Sequence, residues 1–358
     1  MSPDRAISAR KQKHIEISVN PEKYKIEGEI KNGFESIHFV HEAFPELDYE
    51  KIDASTTFLG KRISLPILIS CMTGGTSKAL QANTELAQAA QLTRIPMGLG
   101  SIKILFQDPK FFKDFQIRSI APDIPILANM GAVQVRDTPQ NRIIEVLQKL
   151  EVDALVIHLN AGQELFQPDG DRNFIGLLTP IEKLCKNNPF PIVVKETGFG
   201  IRPRRVKQLL EAGVAYIDLA GSSGTNWILV ESYKNSQEDR EIAKEFTNWG
   251  IPTALLLASL EKWPDRIIAS GGLRSGMDIA KAIAMGAVLA GMALPFIRDV
   301  QQGGKQRVVK RIKNIERLLK TVMLLTGSTH LEDLRRAERW MEPEFSERVS
   351  RLKHAEGF

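Results

Sequence analysis

From Pro66 onward, the chain alternates short apolar runs with segments whose apolar residues recur at helical spacing, and Gly, Pro or Asn marks the boundaries. This alternation is typical of a parallel sheet whose strands are joined by crossover helices. Eight such runs in succession favour closure into a barrel. The predicted strands are Ile67–Ser70, Ile95–Gly98, Ile126–Asn129, Ala154–Leu159, Ile192–Lys195, Tyr216–Leu219, Arg266–Ala269 and Ala287–Ala290. The predicted helices include Asn83–Gln91, Arg142–Leu150, Pro203–Ala212 and Asp278–Met285. The expected fold class is α/β, a (β/α)8 TIM barrel.

A doubly wound dinucleotide fold is the alternative, and it needs a Gly-x-Gly-x-x-Gly turn after its first strand. The first apolar run instead leads into Cys71-Met72-Thr73-Gly74-Gly75, which lacks that spacing. We therefore expect the barrel to occupy residues 66–330. Residues 1–65 are expected to form an N-terminal extension, in which Asp53 to Lys61 predicts a hairpin covering the barrel bottom. Residues 331–358 are expected to form a C-terminal helical tail.

The charge balance raises the question of an anionic partner, because the net charge is +5. The basic run from Lys305 to Lys320 shares helical spacing with Val308, Ile312, Ile315 and Leu319, which is typical of a solvated helix face. No aromatic-interleaved basic platform accompanies it, so nucleic acid is not an expected partner. Apolar runs fall short of the roughly 20 residues of a membrane span, and no signal-peptide core is evident. Together with only two cysteines, this predicts a cytoplasmic protein that does not bind membranes.

Polar residues follow nearly every predicted strand, at the end where barrel enzymes place their chemistry. A scatter of this kind is hard to explain by turns alone, so we expect one shared site. These residues are Thr73, Ser101, Lys103, Asn129, His158, Asn160, Lys195, Ser222, Thr225, Arg274 and Gly291.

The loops after the seventh and eighth runs predict a phosphate site. Ser270-Gly271-Gly272-Leu273-Arg274-Ser275-Gly276 leads directly into a helix, and Ala290-Gly291-Met292-Ala293 follows the eighth run. Glycine lets backbone N–H groups approach an anion, a helix N-terminus attracts it, and Arg274 can donate a charge-assisted hydrogen bond. Barrels often bind phosphate at these two loops.

Lys195 and His158 each have a structural and a functional interpretation. A buried Lys195 needs an anionic neighbour, which is either Glu196 in a structural ion pair or a ligand with negative charge. His158 alone would be an ordinary core histidine, but Asn160, Gln163 and Glu164 follow it within one loop. These neighbouring polar residues favour a role for His158 in the site.

With these residues in view, the chain resembles the flavin-dependent type 2 isopentenyl diphosphate isomerases over nearly its whole length. Five stretches carry the resemblance, and the one from His158 to Phe174 is the most specific. The others are Arg10 to Ile15, Met72 to Gly75, Met97 to Ser101, and Ser222 to Trp227. The strand-seven glycines and Val194-Lys195-Glu196 are less specific, since other FMN barrels are similar there.

The resemblance implies bound FMN, active in its reduced form, with NADPH as the reductant. It places Met72, Thr73 and Gly74 along the flavin ring, and Ser101 and Asn129 at the polar edge of the ring. Lys195 would stabilise the anionic reduced ring near N1. The phosphate would be held by Thr225, Gly272, Arg274, Gly291 and Ala293, with Ser222 able to donate to it.

The same resemblance implies that isopentenyl and dimethylallyl diphosphate are the substrates, with Mg²⁺ bound by Glu164. The substrate residues would be Arg10, Lys11, His14, Lys103, His158, Asn160 and Gln163, and the catalytic ones Gln163, Lys195 and His158. A histidine with an ordinary pKa near 6.5 is a weak acid for protonating an alkene, so reduced FMN is the expected acid–base group. The family also suggests a homotetramer or homo-octamer.

Two departures from the family pattern stand out. Ile102 and Lys103 replace the usual Gln and Arg, so a point charge takes the place of a bidentate guanidinium. Ser222 and Ser223 stand where the family often has a bulkier residue or a second glycine.

Two other functions stay open at this stage. An FMN-dependent 2-hydroxy-acid oxidase would need a histidine base near the seventh strand, yet the next histidine after His158 is His330. A non-catalytic flavin-binding sensor would bind FMN without turnover.

Overall fold

The computed structural model describes residues 13–72 and 77–357 of the chain. Eight parallel strands form a closed barrel, in which the sixth strand pairs with the seventh and the eighth pairs with the first. The strands are Ile67–Ile69, Met97–Ser101, Ile126–Gly131, Ala154–Leu159, Ile192–Glu196, Tyr216–Asp218, Ile267–Ser270 and Leu289–Met292. The predicted fold class is thus confirmed. Each predicted strand overlaps an observed one, and the ends differ by up to three residues.

Helices surround the barrel as the apolar periodicity predicts. The α-helices are Ser77–Thr93, Ala132–Asp137, Gln140–Leu150, Ala161–Phe166, Leu178–Asn187, Pro203–Glu211, Trp227–Ser232, Gln237–Lys244, Thr253–Ala258, Gly276–Ala284, Leu294–Leu324, Leu331–Arg336 and Pro343–Glu356. Shorter 3-10 helices are Phe34–Ser36, Tyr49–Lys51, Ile102–Phe106 and Pro109–Asp114, and residues 13–19 are also helical. No helix in the described ranges has the length and hydrophobicity needed to cross a membrane.

The barrel bottom is closed by the predicted hairpin. Thr56–Phe58 pairs antiparallel with Lys61–Ile63. Phe58 and Ile63 are buried together with inward-facing barrel residues such as Leu127 and Val193. This end of the barrel is apolar, whereas the polar residues that follow the parallel strands lie at the opposite mouth, where all the carboxyl ends meet.

The N-terminal extension and the C-terminal tail meet outside the barrel. The tail contains the two helices Leu331–Arg336 and Pro343–Glu356, but between them lies a strand, Arg339–Met341, that the sequence did not predict. This strand pairs antiparallel with Ile37–Phe39 of the extension. Three residues are too few to show strand periodicity, and the pairing joins parts of the chain about 300 residues apart.

The basic run between Lys305 and Lys320 lies on a helix with one buried face, as expected. Val308, Ile312, Ile315 and Leu319 are buried. The helical run Leu294–Leu324 breaks at Gly303 and Gly304, where Gly304 has a φ of 59°. The Glu85 carboxylate accepts a hydrogen bond from the Lys305 backbone N–H at 2.7 Å, which caps the second part of the helix.

Candidate active site

The barrel mouth holds a cavity of about 260 Å³ that reaches the carboxyl ends of most of the barrel strands. Most of the predicted site residues line it. They are His14, Met72, Ser101, Lys103, Asn129, His158, Asn160, Gln163, Glu164, Lys195, Thr225, Gly272, Arg274, Gly291 and Ala293. Arg10, Lys11, Thr73 and Gly74 lie outside the described residues. The structure therefore brings together residues from distant loops in one cavity.

Ser222 is the exception, because it does not line the cavity. Its backbone N–H donates to the Ile251 carbonyl at 2.9 Å, and a β-bridge joins it to Pro252. Its side chain is only 3% exposed. Its hydroxyl is buried and has no hydrogen-bond partner among the described residues, and its contact with a phosphate stays a prediction.

Lys195 stands at the end of the fifth strand, 9% exposed. Its Nζ donates to the backbone carbonyl of Glu196 at 2.6 Å, whereas the Glu196 carboxylate accepts from the backbone N–H groups of Gly198 and Phe199. Of the two alternatives for Lys195, the structural ion pair with the Glu196 carboxylate is not formed, because the following turn uses that carboxylate.

A buried acid that the sequence did not single out stands beside Lys195 on the neighbouring strand. Asp218 is aligned with Lys195 on the neighbouring strand and is 2% exposed. Its carboxylate accepts a hydrogen bond from the Ser270 hydroxyl. Burial raises the pKa of Asp218, and the Lys195 cation partly offsets that rise. A charged residue inside an otherwise apolar strand was the signal available in the sequence.

His158 is held by Asn129 on the adjacent strand, with 2.9 Å between His158 Nδ1 and Asn129 Oδ1. Burial lowers the pKa of His158 to about 3, and the nearby cations Lys195 and Lys103 act in the same direction. The imidazole is therefore neutral at ordinary pH. It can exchange hydrogen bonds in the cavity but is not a general acid there.

A second buried carboxylate organises the other side of the cavity. Glu231, fully buried on the helix Trp227–Ser232, accepts a hydrogen bond from Gln163 Nε2 at 2.9 Å and lies 2.8 Å from His14 Nε2. It also forms an ion pair with Lys234. Burial raises the pKa of Glu231, but His14 and Lys234 lower it by more than burial raises it, so the resulting pKa is about 2. An acidic residue directly after the apolar run Trp227 to Val230 was again the missed signal.

Through Glu231, the helix at residues 13–19 is docked over the cavity. His14 also packs edge-on against Trp227, with 5.3 Å between ring centroids. Ile15 and Ser18 of the same helix line the cavity. The N-terminal extension thus supplies part of the wall of the site.

Glu164 is the predicted metal ligand, and it is 9% exposed. One carboxylate oxygen accepts from Asn160 Nδ2 at 2.9 Å, and the other accepts from the Asp171 backbone N–H at 2.8 Å. No cluster of three His, Cys, Asp or Glu residues suited to a metal occurs in the described ranges. Among the described residues, Glu164 is the one carboxylate that lines the cavity, which suits an ion that takes most of its ligands from water and substrate.

The two predicted phosphate loops lie side by side. Gly271 and Gly272 have φ values of 100° and 76°, and the helix that begins at Gly276 is capped by Ser275 and Asp278. The ends of strands seven and eight are paired at Ser270 and Gly291. In the neighbouring loop after strand six, a Cβ on Gly224 would come within 2.8 Å of the Gly272 nitrogen, so this loop needs glycine to pack against the strand-seven loop. The cavity also contains the Ser70 and Thr197 hydroxyls, which have no hydrogen-bond partner among the described residues. A polar ligand would satisfy them.

The departures at 102 and 103 have different surroundings. Ile102 is fully buried in the core, whereas Lys103 lines the cavity. Both lie on the 3-10 helix Ile102–Phe106, which Ser101 caps. The side chain that replaces the family's Gln, Ile102, therefore packs in the core, whereas the charge of Lys103 faces the cavity, where a ligand can bind it.

Comparison with known proteins agrees with this geometry. The FMN-dependent dehydrogenase family model matches residues 25–105 and 177–341. Among the solved structures that superpose are the flavin-binding domain of baker's yeast flavocytochrome b2 and a mandelate oxidase, both with TM-scores of 0.62. The flavocytochrome domain is 20% identical, and the match covers 94% of this chain and 84% of that one. The mandelate oxidase is 15% identical, and the match covers 87% of this chain and 90% of that one. At such identities the likeness concerns the fold alone.

Sequence relatives are more specific. The isopentenyl-diphosphate delta-isomerase of Rickettsia rickettsii (strain Sheila Smith) is 46% identical over 334 residues, covering 92% of this chain and 96% of the relative. That of Borreliella afzelii is 43% identical over 333 residues, covering 92% of each chain. The chain belongs to the isopentenyl-diphosphate delta-isomerase family, in its FMN-dependent type 2 branch.

Proposed function

We propose that this protein interconverts isopentenyl and dimethylallyl diphosphate, using reduced FMN and Mg²⁺. One observation carries the proposal: the cavity joins two sets of anion-binding residues, the phosphate loops at strands seven and eight and the polar group around His158. The first set suits the phosphate of FMN. The second, with Lys103, His14, Asn160 and Gln163, suits the diphosphate of a substrate.

The residues present fit FMN. Met72, Ser101, Asn129 and Lys195 provide an apolar wall, hydrogen-bonding groups and one buried cation for a flavin ring. Thr225, Gly272, Arg274, Gly291 and Ala293 would hold its phosphate. When bound in reduced form, FMN would supply the acid–base group that gives one proton to the alkene and removes another.

The chain's own residues would bind and orient the substrate. Lys195 would stabilise negative charge on the ring, with its own charge balanced from below by Asp218. Gln163, whose amide is held by Glu231, would position the reacting carbons. Neutral His158 and Asn160, with Lys103, would hold the diphosphate, and Glu164 would bind Mg²⁺ together with diphosphate oxygens and water. The docked helix at residues 13–19 would exclude water from the reactive carbocation-like species.

The competing oxidase function needs a histidine base near the end of strand seven, and the only described histidines that line the cavity are His14, on the N-terminal helix, and His158, on strand four. His330 forms a β-bridge with Asp53, in the segment that precedes the bottom hairpin, and does not line the barrel mouth.

We expect NADPH to serve as the reductant. The homotetramer or homo-octamer and the cytoplasmic location stay predictions, and light scattering of the purified protein would measure the former.

The decisive experiment is an anaerobic assay of the FMN-loaded protein, reduced by light or NADPH, with Mg²⁺ and isopentenyl diphosphate. We expect dimethylallyl diphosphate to form, and lactate or glycolate to remain unoxidised. Protein loaded with 5-deaza-FMN, which cannot exchange a proton at position 5 in the same way, should be inactive. FMN binding without turnover would instead support the sensor function, and full activity with the deaza analogue would exclude the acid–base role of the flavin.

A further inference from the structure

A segment of the N-terminal extension, residues 26–32, crosses the loops after strands six and seven, which carry Thr225, Gly272 and Arg274 of the proposed FMN phosphate site. We call it the strap. The Ile26 carbonyl accepts from the Asn226 backbone N–H at 2.7 Å, and Glu27 forms an antiparallel bridge with Thr225. Asn32 Nδ2 donates to the Gly272 carbonyl at 3.0 Å. The strap therefore touches the phosphate loops at both strand six and strand seven.

The strap presents a carboxylate to the arginine of the phosphate site. Glu27 Oε1 forms an ion pair with Arg274 Nη2, and Glu27 Oε2 lies 3.2 Å from Arg298 Nη1. Arg274 lines the cavity, and its Nη1 donates to the Leu273 carbonyl at 2.8 Å. Part of the guanidinium's hydrogen-bonding capacity is thus already used within the protein.

The charges in this cluster do not balance. Two guanidinium groups, Arg274 and Arg298, face the single carboxylate of Glu27, which leaves one positive charge for a further anion. Arg298 Nη2 is buried and has no hydrogen-bond partner among the described residues. Arg298 also donates through Nε to the Ser18 carbonyl at 3.0 Å, at the end of the helix that covers the cavity. If Arg274 turned away, Glu27 would keep a cationic partner in Arg298.

We propose that Glu27 is an internal counter-anion, which occupies Arg274 until the phosphate of the cofactor takes its place. A carboxylate and a phosphate compete for the same N–H groups of a guanidinium, and a phosphate brings more negative charge. The exchange leaves neither Glu27 nor Arg274 without a partner. Glu27 thereby limits the affinity of the site for the phosphate end of FMN, and it does not contribute to binding of the ring.

The test compares two ligands that differ only in the phosphate. Dissociation constants of FMN and riboflavin are measured with apoprotein by quenching of flavin fluorescence. In Glu27→Gln, which keeps the side-chain shape, we expect FMN to bind about fivefold more tightly, the size expected for release of one partly exposed ion pair. Riboflavin should bind as it does to the unmodified protein. Glu29→Gln removes an exposed charge from the same strap and serves as the matched control.

Two further variants separate competition from support. In an Arg274→Gln background, the gain from Glu27→Gln should vanish, because the contested group is absent. Glu27→Asp retains the charge but shortens the reach, and it replaces Glu27→Gln if that variant does not fold. We expect it to tighten FMN binding by less than fivefold. Weaker FMN binding in Glu27→Gln, or an equal change for FMN and riboflavin, overturns the proposal. The measurement rests on the FMN site of the proposed function, but it uses no isomerase activity. Failure of the unmodified protein to bind FMN would count against the proposed function instead.

Discussion

The Nδ1 atom of His158 lies 2.9 Å from Oδ1 of Asn129, and this contact determines which form of the imidazole faces the cavity. A carboxamide oxygen accepts a hydrogen bond, so in this orientation Nδ1 carries the hydrogen and Nε2 offers a lone pair. Because burial lowers the pKa of His158 to about 3, the ring stays neutral. Holding a diphosphate through Nε2 thus requires either protonation of the ring or a shift of its hydrogen from Nδ1 to Nε2, with the Asn129 amide turned so that its Nδ2 donates to Nδ1.

We expect the His158 ring not to titrate between about pH 5 and 8 in the ligand-free protein. Since the unfolded chain takes up this proton near pH 6.5, the contribution of neutral His158 to stability is complete above that pH and declines as the pH falls toward 3. Nuclear magnetic resonance of imidazole nitrogens would follow the ring, with His158→Gln to identify its signal. Added pyrophosphate should bring the titration into the measured range, because an anion favours the charged form. A midpoint near 6.5 without ligand would contradict the prediction.

A second prediction concerns Lys195 and Asp218. Lys195→Met should lower the isomerase turnover by at least about 100-fold and the free energy of unfolding by about 2 kcal/mol, because Asp218 loses its counter-charge. The double variant Lys195→Met with Asp218→Asn should recover the stability but not the turnover. Urea unfolding of the apoprotein and the isomerisation assay measure the two effects separately. A double variant with normal turnover would show that Lys195 has no role in catalysis.

Glu231 is expected to anchor the helix over the cavity. Glu231→Gln keeps the shape but leaves His14 and Lys234 without their anion, so we expect a loss of about 3 kcal/mol and faster protease cleavage within residues 13–20. Limited proteolysis followed by mass spectrometry would locate the cut. Glu245→Gln, an exposed carboxylate just after the next helix, is the control. Since burial and the two cations hold the Glu231 pKa at about 2, its stabilisation should be complete above about pH 4.5, decline below that pH and be lost as the pH falls through about 2. Unchanged cleavage would show that other contacts hold the helix.

Ser223 occupies a position that favours glycine. Its φ is 96°, and its hydroxyl is buried without a hydrogen-bond partner among the described residues. Ser223→Gly should therefore raise the free energy of unfolding by about 1 kcal/mol, because it removes both the backbone strain and the unsatisfied group. Thermal unfolding of the apoprotein would detect this as a higher midpoint. A lower midpoint would mean that packing of the Ser223 side chain outweighs its strain.

The eight strands, their helices and the two phosphate loops could be predicted from the sequence, because each is marked within a short window by apolar spacing and by glycine. The ends of the strands were predicted less accurately, as at Met97–Ser101, because hydrogen bonding to the neighbouring strands decides where a strand begins and ends. The position of the polar site could also be predicted from the sequence, because a parallel barrel brings the carboxyl ends of all its strands to one mouth.

What the tertiary structure decided is which charged groups are partners. Glu27 reaches Arg274 across 247 residues, and His14 reaches Glu231 across more than 200. Ser222, which follows the sixth strand, pairs with Ile251 and does not line the cavity. The sequence determines local conformation through side-chain spacing and backbone preference, which act over a few residues. Ion pairs and burial depend on distances between remote segments, and those distances exist only once the chain has closed into its barrel.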